Sequence, residues 1–206
     1  MRIAVLGANG RTGRAFVNTA IRAGHDIRAG VHSGGFRFSE GVVVVPCDAT
    51  NPVDVANLTQ GCDAVVSLIG HRHRSPSSLQ TISTDNIIQA MEKQGIKRLI
   101  SLTGTGVRCA GDRITLSDRI LNTSIRLIDP QRVVDGIEHA ELIKKSDVDW
   151  TVLRVLKLQN GRQRPYILRP NGPTKLFVSR LEVADALMTI LEQGSFIKQS
   201  PIISPV

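Results

Sequence analysis

The 206 residues carry 26 lysines and arginines against 18 aspartates and glutamates, for a net charge of +8. A hydrophobic share of 41% with 21% charged residues excludes a disordered chain or a collagen-like repeat and suits one folded α/β domain over residues 1–206. The longest clean apolar runs, Val42 to Val45 and Ala64 to Ile69, are strand-sized rather than membrane-sized, and the run before Gly7 is too short for a signal-peptide core.

Three cysteines without metal-ligand spacing point to a reducing, cytoplasmic setting and to no metal site. A pI near 10.0 invites a nucleic-acid partner. Against it, the basic residues are scattered and only seven aromatics exist (five Phe, one Trp, one Tyr) to stack on bases. Positive potential also attracts an anionic cofactor or small-molecule substrate, and that reading is preferred.

In chain order, Arg2 to Leu6 is a short apolar strand followed at once by Gly7-Ala8-Asn9-Gly10-Arg11-Thr12-Gly13. From Thr12 to Ala23 the apolar residues Ala15, Phe16, Ala20 and Ala23 recur at helical spacing. Strand, glycine turn and helix in this order let backbone approach a pyrophosphate at a helix N-terminus. Ile27 to Val31 and Val42 to Val45 are the second and third strands, and Asn51-Pro52 opens a helix with an Asn cap and Pro at its first position.

Ala64 to Leu68 is strand four, Ser78 to Gln94 a helix closed by Gly95, and Arg98 to Leu102 strand five. Asp129-Pro130 opens a helix to about Lys145, and Trp150 to Leu153 is strand six. Ser179-Arg180-Leu181-Glu182 is a capping box for a last helix to about Glu192. Strands alternating with helices specify a doubly wound parallel sheet, Rossmann-like. The polar stretch from Gly106 to Asp129 is expected to form a flexible wall or short helix over the ligand edge, and Gln159 to Thr174 reads similarly.

The pattern G-x-x-G-x-x-G at Gly7 to Gly13 resembles the atypical short-chain dehydrogenase/reductases, particularly the NmrA-like group that includes biliverdin and flavin reductases. Asp48-Ala49, Ser67-Leu68-Ile69-Gly70, the run from Lys97 to Gly104 and the helix around Val183-Ala184-Asp185-Ala186 add to the likeness. So does Asp149-Trp150-Thr151-Val152-Leu153-Arg154, which is similar to the group's D-W-T-x-x-R-P with Val155 in place of the proline. The resemblance implies a cofactor site of Gly7, Asn9, Gly10, Arg11, Thr12 and Gly13 in the turn and His32 and Arg37 after strand two. It adds Asp48, Ala49, Ile69 and Gly70 after strands three and four, and Thr103 and Val155 at the ends of strands five and six.

It further implies an NAD(P)H-dependent reductase acting on a flavin or another flat conjugated acceptor. Strand two ends Val31-His32-Ser33 with no acid for a ribose 2′-hydroxyl, while His32, Arg37 and Arg11 supply basic groups, so NADP(H) is favoured over NAD(H). His32 stands where the family places a phosphate-binding arginine. Asp48 serves either the adenine edge or its own turn, and His71-Arg72-His73-Arg74 either faces anions or is a solvated basic loop.

The Tyr-x-x-x-Lys pair of conventional dehydrogenases is absent: Pro170 lies four residues beyond the sole tyrosine, Tyr166. A flavin needs no such acid, since it takes hydride and exchanges its proton with solvent. By resemblance, Thr103 and His139 are the candidate catalytic residues, and Gly104 replaces the group's serine. Helix-surface histidines are common, so His139 equally reads as a plain surface residue. The alternative function is a non-catalytic sensor that binds NADP(H) and engages a protein partner; the sequence is compatible with a monomer.

Overall fold

The computed structural model describes residues 1–32, 37–71 and 75–206. β1 (Arg2–Leu6) leads through the glycine turn into α1 (Arg11–Arg22), and β2 (Asp26–Val31) and β3 (Val42–Pro46) follow on one side of β1. After α2 (Pro52–Thr59) the chain crosses over, and β4 (Ala64–Ser67) pairs with the other side of β1. Then come α3 (Leu79–Gln94), β5 (Arg98–Gly104), α4 (Leu116–Ile128), α5 (Pro130–Lys145) and β6 (Asp149–Val155). The chain finishes with β7 (Lys157–Gln159), β8 (Tyr166–Arg169), β9 (Phe177–Ser179), α6 (Arg180–Gln193) and β10 (Ile202–Pro205).

The eight-stranded sheet has the order β3-β2-β1-β4-β5-β6-β10-β8. It is parallel except for β8, which runs antiparallel to β10. β7 and β9 form a separate parallel pair. The doubly wound sheet expected from the sequence is therefore present.

The inner strands β1, β4, β5 and β6 are buried on both faces, which is why they are largely apolar rather than alternating. Ile3 and Val5 of β1 face α1 and α6, packing on Phe16, Val17, Val183 and Leu187. Ala4 and Leu6 face the opposite layer, with Leu58 of α2, Met91 of α3 and Ile143 of α5.

Local chemistry sets the helix ends. Asn51 accepts from the Val53 N–H at the start of α2, with Pro52 in the first turn. Asp129 likewise caps α5 through the Arg132 N–H, and Ser179 and Glu182 form the full capping box of α6. Gly95 ends α3 at φ +71°, where a side chain would be strained.

The stretch after β5, expected as a flexible wall or a short helix, is helical in its second half. It forms α4, a helix of 13 residues that starts at a Thr115 cap accepting from the Asp118 N–H. Among the described residues no helix is long and apolar enough to cross a membrane.

Candidate functional site

Chain reversal at β1 and β4 opens a crevice at the carboxyl ends of the strands, the usual ligand position in open parallel sheets. Its floor is the glycine turn. Gly7 takes φ +73°, and a Cβ there would lie 2.7 Å from the Leu68 carbonyl oxygen. The Gly10 N–H donates to the Gly7 carbonyl at 2.9 Å and closes the turn. A Cβ on Gly13 would fall 2.2 Å from that same carbonyl oxygen, so Gly13 seats α1 against the turn instead of lining the cleft. Gly10 offers no side-chain cap and no acid occupies the first turn of α1, which leaves the positive helix end open to an anion. A turn with glycine at positions 7 and 10 below an uncapped helix N-terminus fits a dinucleotide pyrophosphate.

The cleft measures about 1090 Å³. Asn9, Gly10, Arg11 and Thr12 line it from the turn, His32 from the end of β2, and Asp48 and Ala49 from beyond β3. Asp48 Oδ1 accepts from both the backbone N–H and the hydroxyl of Thr50, at 2.9 and 2.7 Å, and these bonds hold its carboxyl below the usual range. Its Oδ2 lies 3.9 Å from His32 Nδ1. Thus Asp48 both caps its turn and brings a carboxylate beside the end of β2, an acid that the strand itself lacks. Arg37 is exposed and does not line the cleft. The sequence reading had grouped it with His32; Ser33, between them, lies outside the described residues, as do Arg72, His73 and Arg74.

The other half of the cleft is walled by Thr103 at the end of β5, Ile69 and Gly70 after β4, and Val155 at the end of β6. Val155 stands opposite Gly104 in the parallel register, and its carbonyl accepts from the Thr105 N–H at 2.9 Å. Leu121, Asn122 and Ile125 of α4 form the roof. Asn122 donates to Thr105 Oγ1 at 3.1 Å, and Arg108 pairs with the buried Asp118, so the roof is tied to the loop after β5. Arg154, fully buried, makes a bidentate pair with Asp112 and also donates to the Val107, Pro170 and Ser200 carbonyls. The arginine of the Asp-Trp-Thr block therefore braces the roof loop from below.

His139 does not reach the cleft. It is 1% exposed on α5, with Nδ1 2.8 Å from Thr84 Oγ1 and Nε2 3.3 Å from Ser101 Oγ. Burial pushes its pKa down to about 4, with Asp135 opposing the shift. The expectation that it contacts substrate fails because α5 packs tightly on α3, which turns that helix face inward.

Besides His32, the cleft is lined by the imidazole of His71, whose Nε2 lies 2.8 Å from the buried carboxylate of Asp135, out of line for a hydrogen bond. Asp135 is held by the Gln80 and Thr81 N–H groups and the Thr81 hydroxyl. No spacing in the sequence pairs His71 with Asp135, since their meeting depends on α5 docking against α3. Arg180 and Lys157 line the cleft too and went unremarked in the sequence; a cation following a capping serine, as in Ser179-Arg180, was the available signal.

Tyr166 lies away from the cleft, donating to Asp185 at 2.7 Å. Among the described residues no three His, Cys, Asp or Glu side chains gather to hold a metal.

Comparison with known proteins agrees with this geometry. The family model described as NAD(P)H-binding matches residues 7–194. An uncharacterized chloroplastic protein of Arabidopsis thaliana is 25% identical over 172 residues, 77% of this chain; the chain spans 60% of that relative's length. A short-chain dehydrogenase/reductase of Veillonella parvula, solved in complex with NADP, superposes with a TM-score of 0.80 at 20% identity, over 98% of this chain and 94% of that one. A Streptococcus pneumoniae protein named "putative NADH-flavin reductase" gives 0.77 at 22% identity over the whole of both chains. At these identities the two structures show a shared fold.

Proposed function

From a chain that belongs to the NAD(P)H-binding family, we propose a reductase of the atypical short-chain dehydrogenase/reductase kind that moves hydride from NADPH to a flat conjugated acceptor such as a flavin. The observation that carries this reading is the apolar slot between the glycine turn and α4. It offers room for two stacked rings and no tyrosine–lysine acid. The name of the pneumococcal neighbour points the same way.

In this reading the Arg11 and Thr12 N–H groups receive the pyrophosphate, and Asp48 and Ala49 flank the adenine. Val155 and Thr103 border the nicotinamide. The bound cofactor supplies the hydride. The chain's part is to bring two planes together and exclude water, with Leu121 and Ile125 closing over the slot. Thr103 offers a hydroxyl to the carboxamide or acceptor, and His71 is the imidazole available to it. His139 holds no role in the chemistry. NADP(H) preference rests on His32 at the end of β2, with Asp48 acting against it.

The test is NADPH oxidation with FMN, riboflavin, biliverdin and quinones in turn, beside NADPH affinity by calorimetry. Turnover with one of them is expected. Tight NADPH binding with no turnover of any acceptor would instead support the sensor reading.

A further inference from the structure

The charges lining the cleft are unevenly placed. Asp48 is the one carboxylate among its described lining residues, at the β3 end, and is already engaged by Thr50. From Thr103 round to α6 the lining includes Arg132, Lys157 and Arg180 and no acid. Between them lie Val107, Leu121, Ile125, Leu156 and Leu158, an apolar surface for a ring.

Arg11 and Arg180 are the first residues of α1 and α6, two helices that pack against each other. Burial, and then the charge of Arg11, lower the pKa of Arg180. Arg11 is thus near α6, whereas the sequence reading counted it, from the glycine turn, with His32 and Arg37 toward a 2′-phosphate. Arg180 is held by a bond from Nη1 to Asn160 Oδ1 at 2.8 Å.

Three other arginines each have a carboxylate partner: Arg108 has Asp118, Arg154 has Asp112 and Arg164 has Glu182. Among the described residues neither Arg11 nor Arg180 makes an ion pair. Two guanidinium groups that share one edge of an apolar slot without a counter-charge repel each other until an anion bridges them.

We propose that Arg11 and Arg180 form a subsite for an anionic substituent of the acceptor, a phosphate or carboxylate, while the apolar lining takes its ring. The inference rests on the reductase reading and narrows its substrate to an acidic acceptor. A phosphate there has two sources, the acceptor or the pyrophosphate of the cofactor. The acceptor is favoured because Arg180 is fixed to Asn160, just beyond β7, on the side of the cleft away from Asp48.

FMN and riboflavin share one ring system and differ by a single phosphate, so they isolate the subsite. Their binding to the full chain loaded with NADP⁺ is read by flavin fluorescence, and their reduction by kcat/KM at saturating NADPH. FMN is expected to be preferred roughly ten- to hundredfold in both, as befits charge-assisted bonds. In Arg180→Gln the FMN-to-riboflavin ratio should fall towards one, and added salt should lower it in the unmutated protein.

If FMN binds preferentially but neither flavin is reduced, the subsite stands and the reductase reading falls. FMN binding no tighter than riboflavin, or no binding of either, overturns the subsite. So does an Arg180→Gln protein that loses NADPH affinity as much as FMN affinity, because the pair would then hold the cofactor.

Discussion

Replacing His139 with glutamine separates a catalytic from a structural histidine. The folded imidazole is held neutral to about pH 4, whereas the unfolded one protonates around 6.5. Between those values the unfolded chain binds the extra proton, so stability falls as pH drops from about 6.5 to about 4. Above that window both states are neutral and the contribution is intact; below it both are charged and the contribution is gone. At roughly 1.4 kcal/mol per pKa unit, the loss is about 3 kcal/mol, a large part of the 5–15 kcal/mol (order of magnitude) that stabilises a typical domain.

Glutamine can offer both a donor and an acceptor to Thr84 and Ser101 but does not titrate. Urea unfolding of the two proteins across this window is the assay. Carboxylates elsewhere titrate in both and cancel in the difference. The stability advantage of the unmutated protein should shrink by about 3 kcal/mol from pH 7 to pH 4, while NADPH oxidation by His139→Gln stays within a few-fold. A stability difference independent of pH would refute the buried neutral imidazole. Loss of all turnover in a protein that binds NADPH normally would restore His139 as an acid.

Two further substitutions probe the cofactor half. Gly13→Ala places a Cβ 2.2 Å from the Gly7 carbonyl oxygen and 2.7 Å from that of Ala8, so thermal melting should show a loss of about 3 kcal/mol or more. Gly10→Ala, at φ −68° and 3.1 Å from its nearest neighbour, should cost only about 1 kcal/mol yet weaken NADPH binding by roughly tenfold or more in calorimetry; equal melting losses would contradict this division of roles. For cofactor choice, His32→Ala should narrow the preference for NADPH over NADH, and Asp48→Asn should widen it by removing the carboxylate 3.9 Å from His32. Equal affinities of the unmutated protein for the two cofactors would refute the preference.

The elements that were legible in the sequence carry short-range signals. The caps at Asn51, Asp129 and Ser179 and the stop at Gly95 act within a few residues of themselves, and the inner strands are apolar because both of their faces are covered. α4 was obscured by its surroundings. Leu116, Ile120 and Leu127 point outward and are exposed, while Leu121 and Ile125 face the cleft, so no single stripe marks the buried side. β7, β8, β9 and β10 have three or four residues each and gain their identity only from distant partners. The glycine turn was readable because one contiguous segment builds it. The side-chain pairs His71 with Asp135 and Arg11 with Arg180 join residues far apart in the chain, and no periodicity encodes them.

Tyr166 shows why a missing motif bears on the chemistry. A phenol that donates a proton to a reacting oxygen needs a lowered pKa and a place in the cleft, which a neighbouring cation ordinarily provides. Tyr166 has the opposite arrangement. Burial pushes its pKa up to about 12, with the Asp185 carboxylate adding to the rise, and its hydroxyl is spent on that carboxylate outside the cleft. The described cleft thus contains no tyrosine, and its hydroxyl at the strand ends is Thr103, far too weak an acid to protonate an alkoxide. An acceptor whose reduction leaves a full alkoxide would meet no tyrosine donor in the described cleft. A conjugated ring spreads the arriving charge over several heteroatoms and takes its proton from water or from an imidazole such as His71. Reduction of such a ring asks of this chain only what its geometry supplies: a glycine cradle, an apolar slot and cations along one edge.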